Sequence, residues 1–116
     1  MHTIKIKRVY EAAEKEDGFR VLVDRLWPRG IKKEDAHVDV WSKEIAPSTA
    51  LRKWINHDPE KWDEFNRKYK AELKQSPALE ELSEIIKNHK VVTLVYSAKD
   101  EQHNQAVALK EFLESK

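Results

Sequence analysis

Lys90-Val91-Val92-Thr93-Leu94-Val95-Tyr96 runs directly into Ser97-Ala98-Lys99-Asp100 and then into a helical pattern. The first run is apolar on both sides of a period-two alternation except at Thr93. It predicts a central strand covered on both faces. Ser97-Ala98-Lys99-Asp100 reads as a strand-to-helix turn, with Ser97 or Asp100 as the N-cap of a helix over residues 101–114. Ala106, Leu109, Phe112 and Leu113 share one side of that helix. An apolar strand that passes at once into a helix is the grammar of an α/β fold.

Two earlier strands supply the rest of the sheet. Thr3 to Val9 alternates Ile4 and Ile6 with Lys5 and Lys7, which suits a half-buried strand. Phe19-Arg20-Val21-Leu22-Val23-Asp24 is a second strand, and it leaves the sheet through Arg25-Leu26-Trp27-Pro28-Arg29-Gly30. The link between these strands is polar and ends in the turn signal Asp17-Gly18. It is short enough for a hairpin, because a parallel crossover usually takes a dozen or more residues. A parallel pair would need a terse link or another strand lying between the two. The residues leave both arrangements open.

Helices fill the middle of the chain. Lys32-Lys33-Glu34-Asp35 reads as a helical turn or loop. Val38, Trp41 and Ile45 fall at i, i+3 and i+7, predicting a short helix closed before Pro47. Ser48 or Thr49 caps a helix burying Leu51, Trp54 and Ile55. Asp58-Pro59 and Ser76-Pro77 repeat a cap-then-proline signal. The two helices they start carry Trp62, Phe65, Tyr69 and Leu73, then Leu79, Leu82, Ile85 and Ile86. The expected order is β-β-(α)4-β-α in one α/β domain over residues 1–116. The sheet is expected to be small and mostly parallel, with helices on both faces in a three-layer α/β/α arrangement.

Composition narrows the function. Charged residues make up 37% of the chain at a formal net charge of +1, which argues against a surface that is wholly a nucleic-acid footprint. There is no cysteine, so disulfides, thiolate metal sites and cysteine nucleophiles are excluded. His2, His37, His57, His89 and His103 show no metal-ligand spacing, and neither a metal nor a cofactor is expected. No apolar run approaches membrane-spanning length and the first residues lack a signal-peptide core, so a cytoplasmic location is expected.

The chemistry-bearing residues gather at strand ends. A buried strand that stops in Asp24-Arg25 is the pattern of a sheet delivering polar groups to a cleft. Arg offers a planar fork of donors suited to carboxylate or phosphate. Asp24 is placed either to orient Arg25 or to neutralise it. His103 lies near the start of the last helix with Asp100 beside it, a pair able to move a proton. Ser97 lacks the flanking glycines of a nucleophile elbow. The plain alternative is that these charges form structural ion pairs and caps, and that Trp27-Pro28 is a packed turn.

The motifs Ile6-Lys7-Arg8-Val9-Tyr10, Val21 to Gly30, Glu44-Ile45-Ala46-Pro47-Ser48, Leu51-Arg52-Lys53-Trp54, His57-Asp58-Pro59-Glu60-Lys61-Trp62 and Tyr96-Ser97-Ala98-Lys99-Asp100 with His103-Asn104 carry a resemblance. Together they resemble the short, YeaO-like branch of the domain-of-unknown-function 488 family, over nearly the whole chain. The resemblance implies a compact three-layer α/β fold with a small parallel sheet, and no named activity. Longer relatives carry a Cys after the last strand and a Cys-His-Arg group at the next helix start. Here the corresponding stretch holds Tyr96 and His103-Asn104, which puts their chemistry in doubt for this chain.

If the strands are parallel, their C-terminal ends collect Arg8 and Tyr10, then Asp24, Arg25, Trp27 and Arg29, then Tyr96, Lys99, Asp100, His103 and Asn104. Open α/β sheets bind ligands at that edge. The expectation is a pocket for a small anionic molecule, a carboxylate or phosphate. Arg25 and Arg29 would hold the anion, Trp27 would wall the pocket, and His103 with Asp100 would supply any proton transfer. The alternative is a non-enzymatic module that binds protein or nucleic acid through Arg25, Trp27 and Arg29. Nucleic acid is the less favoured partner because Asp24, Glu34 and Asp35 dilute the basic patch, and no membrane is expected.

Overall fold

A computed structural model describes residues 2–56 and 58–115. The strands are β1 (Thr3–Arg8), β2 (Phe19–Leu22), β3 (Val40–Trp41) and β4 (Val91–Tyr96). The helices are α1 (Lys33–Ala36), α2 (Thr49–Ile55), α3 (Trp62–Lys74), α4 (Pro77–Asn88) and α5 (Gln105–Glu114). One sheet has the order β1-β4-β2-β3, and every pairing is parallel. Thr3 to Arg8 match Val91 to Tyr96, and Phe19 to Leu22 match Val92 to Val95. The hairpin arrangement is therefore absent: β1 and β2 are not neighbours, because β4 lies between them.

The two faces of the sheet are covered unequally. Ile4, Ile6, Phe19, Val21, Val23, Val92, Leu94 and Tyr96 belong to the larger core, packed with side chains of α2 to α5. These are alternate positions of each strand, as the pleat requires. The other face carries Leu22 and Val95 in a smaller cluster with Val9, Ala36, Trp27, Ile31, Val38 and Trp41. Among the described residues its one α-helix is the single turn α1; the β1–β2 link and the loop after β2 complete the cover. The lone polar residue of β4 belongs to this side, where the Thr93 hydroxyl donates to Asp17 O at 2.6 Å.

The β1–β2 link crosses β4 with nothing longer than a 3₁₀ turn, Lys15–Asp17. A buried charge cluster holds it. Asp17 and Arg20 are 5% and 4% exposed and pair through Asp17 Oδ2 and Arg20 Nη1. Lys7 Nζ reaches Asp17 Oδ1 at 3.2 Å and Glu14 Oε1 at 2.8 Å. Arg20 spends its remaining donors on carbonyls, with Nε to His37 O and Nη2 to Ala36 O, each at 3.0 Å. Burial opposes the charge on Asp17, but the Glu14 N–H, Lys7 and Arg20 hold its carboxyl below the usual value. Gly18 (φ 66°) then lets the chain turn against the start of β4, where any Cβ would strike Val91.

Two elements differ from the sequence expectation. Val38, Trp41 and Ile45 do not form a helix: Val40–Trp41 is an edge strand, and a 3₁₀ turn follows at Lys43–Ile45. The pattern mimics a helix because both halves bury apolar residues, Val38 and Trp41 in the smaller cluster and Ile45 in the larger. The last helix starts at Gln105, and its N-cap is Asn104, whose side chain accepts from Val107 N at 3.0 Å. Asp100 instead closes its own turn by accepting from the Gln102 and His103 N–H groups. The caps Ser48, Asp58 and Ser76 stand where expected. The reading of His57 lies outside the described residues. No described helix is long and apolar enough to cross a membrane.

Removing one member of a buried ion pair leaves the other charge without compensation. Asp17→Ala is expected to cost about 3–5 kcal/mol in urea unfolding. The wild-type Asp17 contribution is present above the ordinary carboxylate pKa and is lost as pH falls through its lowered folded value.

Candidate functional site

The parallel sheet brings the ends of β1, β2 and β4 to one edge. Arg8, the last residue of β1, turns toward β4: its Nε donates to Ala98 O at 2.9 Å and Nη2 to Ser97 O at 3.3 Å. Its guanidinium carbon lies 5.0 Å from the centroid of the Tyr10 ring. The Tyr10 hydroxyl donates to Arg29 O at 3.0 Å. Arg8 and Tyr10 thus tie the loop after β2 to the turn after β4.

Asp24 is the most enclosed charged group at this edge, 7% exposed. Ser97 N donates to its Oδ2 at 3.0 Å, and the Gln105 amide donates to Oδ1 in a short hydrogen bond. Burial pushes its carboxyl up from the ordinary value, against the opposing pull of Ser97, Gln105 and the Arg52 guanidinium. The Asp24 carbonyl accepts from Trp41 Nε1 at 2.7 Å. One residue thereby joins β2, β3, the turn after β4 and the start of α5.

Asp24 and Arg25 part company. Arg25 Nη2 donates to Ala46 O at 3.0 Å and Nε to Pro47 O at 3.4 Å, while Glu44 lies 3.9 Å away. Asp24 neither orients nor neutralises its neighbour. The loop that follows is closed on itself: Trp27 Nε1 donates to Ile31 O at 2.7 Å, and the Trp27 ring meets Trp41 edge-on at 5.4 Å. Gly30 supplies the positive φ, 76°, that the turn needs. Within this closed loop Leu26 is 67% exposed. The Arg29 side chain is exposed and has no hydrogen bond or ion pair among the described residues.

The third group lies on the turn after β4. His103 Nδ1 is 3.0 Å from Asp100 Oδ2, and its ring meets Trp62 edge-on at 5.3 Å. The Gln102 and His103 N–H groups and the His103 ring hold the Asp100 carboxyl below its usual value. Tyr96 is 2% exposed; burial and the nearby Glu101 and Glu11 carboxylates push its phenol up. Lys99 is exposed and unpaired among the described residues. The Asn104 side chain is consumed in capping α5 and donating to Asp100 O.

Of the expected site residues, Arg8, Tyr10, Arg29, Asp24 and the turn after β4 are linked by contacts. Arg25 is turned toward the Lys43–Pro47 segment. It lines an open depression of about 160 Å³ with Glu44, Tyr69, Glu72 and Ser76, away from the strand ends. Sequence reasoning missed Gln105 and Arg52 as neighbours of Asp24. Neither carries a local signal, and Gln105 stands 81 positions along the chain from its partner. Among the described residues, no three His, Asp or Glu side chains converge as a metal site.

A carboxyl whose pKa is raised by folding stabilises the folded state most when protonated. That contribution falls as pH rises from the ordinary carboxylate range through the raised folded value. Asp24→Asn keeps the acceptor for Ser97 N, and the Gln105 amide can rotate to accept from the new amide group. The variant is expected to show a higher urea midpoint than wild type at pH 7, with the two converging in acid.

Similarity places the chain. The family model described as "Inactive DUF488-N3 subclade" (DUF488-N3i) matches residues 3–116. The chain is 46% identical to the uncharacterized protein YeaO of Escherichia coli (strain K12) over 112 residues, 97% of each chain. It is 44% identical over 110 residues to an uncharacterized protein of Mycobacterium tuberculosis (strain ATCC 25618 / H37Rv), covering 95% of this chain and 92% of the relative. No solved structure matches it. With a parallel α/β sheet, its strand-end motif in place and a family match over nearly its full length, the chain belongs to the DUF488-N3i family, the inactive N3 subclade.

Proposed function

We propose that this chain is a non-enzymatic binding domain that docks a partner protein through the loop Arg25–Ile31. Leu26 enters an apolar pocket of the partner, and Arg29 meets carboxylates at that pocket's rim. The observation that carries the reading is the 67% exposure of Leu26 on a loop held at its Arg29 and Ile31 carbonyls. Trp27, Tyr10 and Trp41 hold the Ile31, Arg29 and Asp24 carbonyls on or beside that loop, and the Arg25 side chain ties its start to the Ala46 carbonyl. A preorganised apolar contact loses little entropy on binding, and a free guanidinium beside it selects acidic surroundings. The polar groups at the strand ends are meanwhile spent on one another: Ser97 N and Gln105 on Asp24, Arg8 on carbonyls. The family description as an inactive subclade agrees with a binding role.

A second reading keeps the strand ends as a site for a small carboxylate or phosphate. Its support is that Arg8 and Lys99 carry charge there with no side-chain ion pair among the described residues. Under it, inorganic phosphate raises the melting temperature and Lys99→Ala abolishes the rise.

Peptide display against the wild-type domain, counter-selected on Leu26→Asp, tests the docking reading. Enriched peptides are expected to combine Asp or Glu with large apolar residues and to bind about tenfold or more weakly to Arg29→Ala. The melting temperature of either variant should stay within about 2 °C of wild type, as for surface substitutions. Peptides that bind wild type and Leu26→Asp equally would sink the reading. Steeply salt-dependent binding of single-stranded DNA, lost in Arg29→Ala, would move it to nucleic acid.

A further inference from the structure

Trp54 lies half-buried on α2, with two ammonium groups against its ring. Lys61 Nζ is 5.0 Å from the indole centroid and Lys68 Nζ is 5.1 Å from it. Lys61 is anchored, donating to Trp54 O at 2.8 Å. Lys68 stands at i,i+4 from Glu72, a spacing that would ordinarily pair them. Glu72 turns away instead, and its carboxylate takes Ser48 N at 2.9 Å and Ser48 Oγ at 2.6 Å. Lys68 is left with no carboxylate among the described residues. Beside it opens a groove of about 360 Å³ lined by Ser48, Ala50, Leu51, Trp54, Lys68 and Glu72. That volume is at the low end for small-molecule sites.

We propose that this groove binds a small carboxylate with a planar apolar body. The body lies along Ala50, Leu51 and the Trp54 ring, and the carboxylate meets the Lys68 ammonium. Charge complementarity selects the occupant. The groove offers one cation outside any ion pair and an aromatic wall, while its one acid, Glu72, is held against Ser48 and turned from the Lys68 ammonium. A phosphate has no apolar part to fill the floor, and a neutral aromatic leaves Lys68 unanswered. The site is independent of the docking loop, since none of its residues lies between Arg25 and Ile31.

Indole-3-propionate is a suitable probe, titrated into the ¹⁵N-labelled protein and followed by backbone and indole N–H shifts. Saturable shifts are expected at Ala50, Leu51, Trp54 and Lys68. The neutral analogue indole-3-propionamide should bind about fivefold or more weakly, as loss of one charge contact implies. Lys68→Gln, an exposed substitution whose fold the same spectra verify, should abolish that preference while leaving the amide's affinity unchanged. Absence of shifts at Trp54, equal binding of acid and amide, or a preference that survives Lys68→Gln would each overturn the proposal.

Discussion

The buried pair of Asp17 and Arg20 is the constraint on which the rest of the fold depends. A parallel step from β1 to β2 across β4 would ordinarily carry a helix that covers the sheet. Here the link is a 3₁₀ turn, and a polar cluster takes the helix's place. Arg20 reaches Asp17, Ala36 and His37, so one guanidinium fixes the link, the strand and the end of α1 together. A buried pair of this kind contributes little beyond what an apolar replacement would, but breaking it is costly. Its effect is therefore to hold one arrangement. With Lys7 and Glu14 attached, it also explains why β1 can place two lysines on a face that elsewhere is core.

The same economy governs the ligand edge of the sheet. Parallel α/β folds leave backbone donors and side-chain cations free at their strand ends to take up anions. In this chain the anion is built in. Asp24 receives the Ser97 N–H and the Gln105 amide, and Arg8 and Arg25 face carbonyls. Outward at this edge stand Tyr10, Leu26, Arg29, Lys99, Asp100 and Glu101, a small mixed surface.

Sequence reading reached the central strand, the capped helices and the strand-end residues because each has a local cause. Val91 to Tyr96 announces itself by unbroken apolarity, and Ser48, Asp58 and Ser76 by their place before a helix. The miss at β3 has a physical origin: two residues show no period, and Val38, Trp41 and Ile45 match helical spacing while serving two different clusters. The fate of Asp24 and Arg25 was hidden for another reason. Side chains adjacent in extended chain point to opposite sides, so neighbours in sequence are poorly placed to pair. Their true partners, Gln105 and Ala46, are set by how distant segments dock.

The position of β4 has a consequence for the order in which the molecule is made. The edge strand β1 has its strand partner in residues 91–96, and before those residues β2 has only the two-residue β3 to pair with. During synthesis β1 must therefore wait without its strand partner until residues 91–96 have emerged. Contacts of such long sequence separation slow folding and leave strand edges open in the interval. Lys5 and Lys7 on β1, and the charged link that follows it, keep that waiting segment soluble and discourage pairing with another nascent chain. Charges that hold the finished sheet together thus also protect it before the sheet exists.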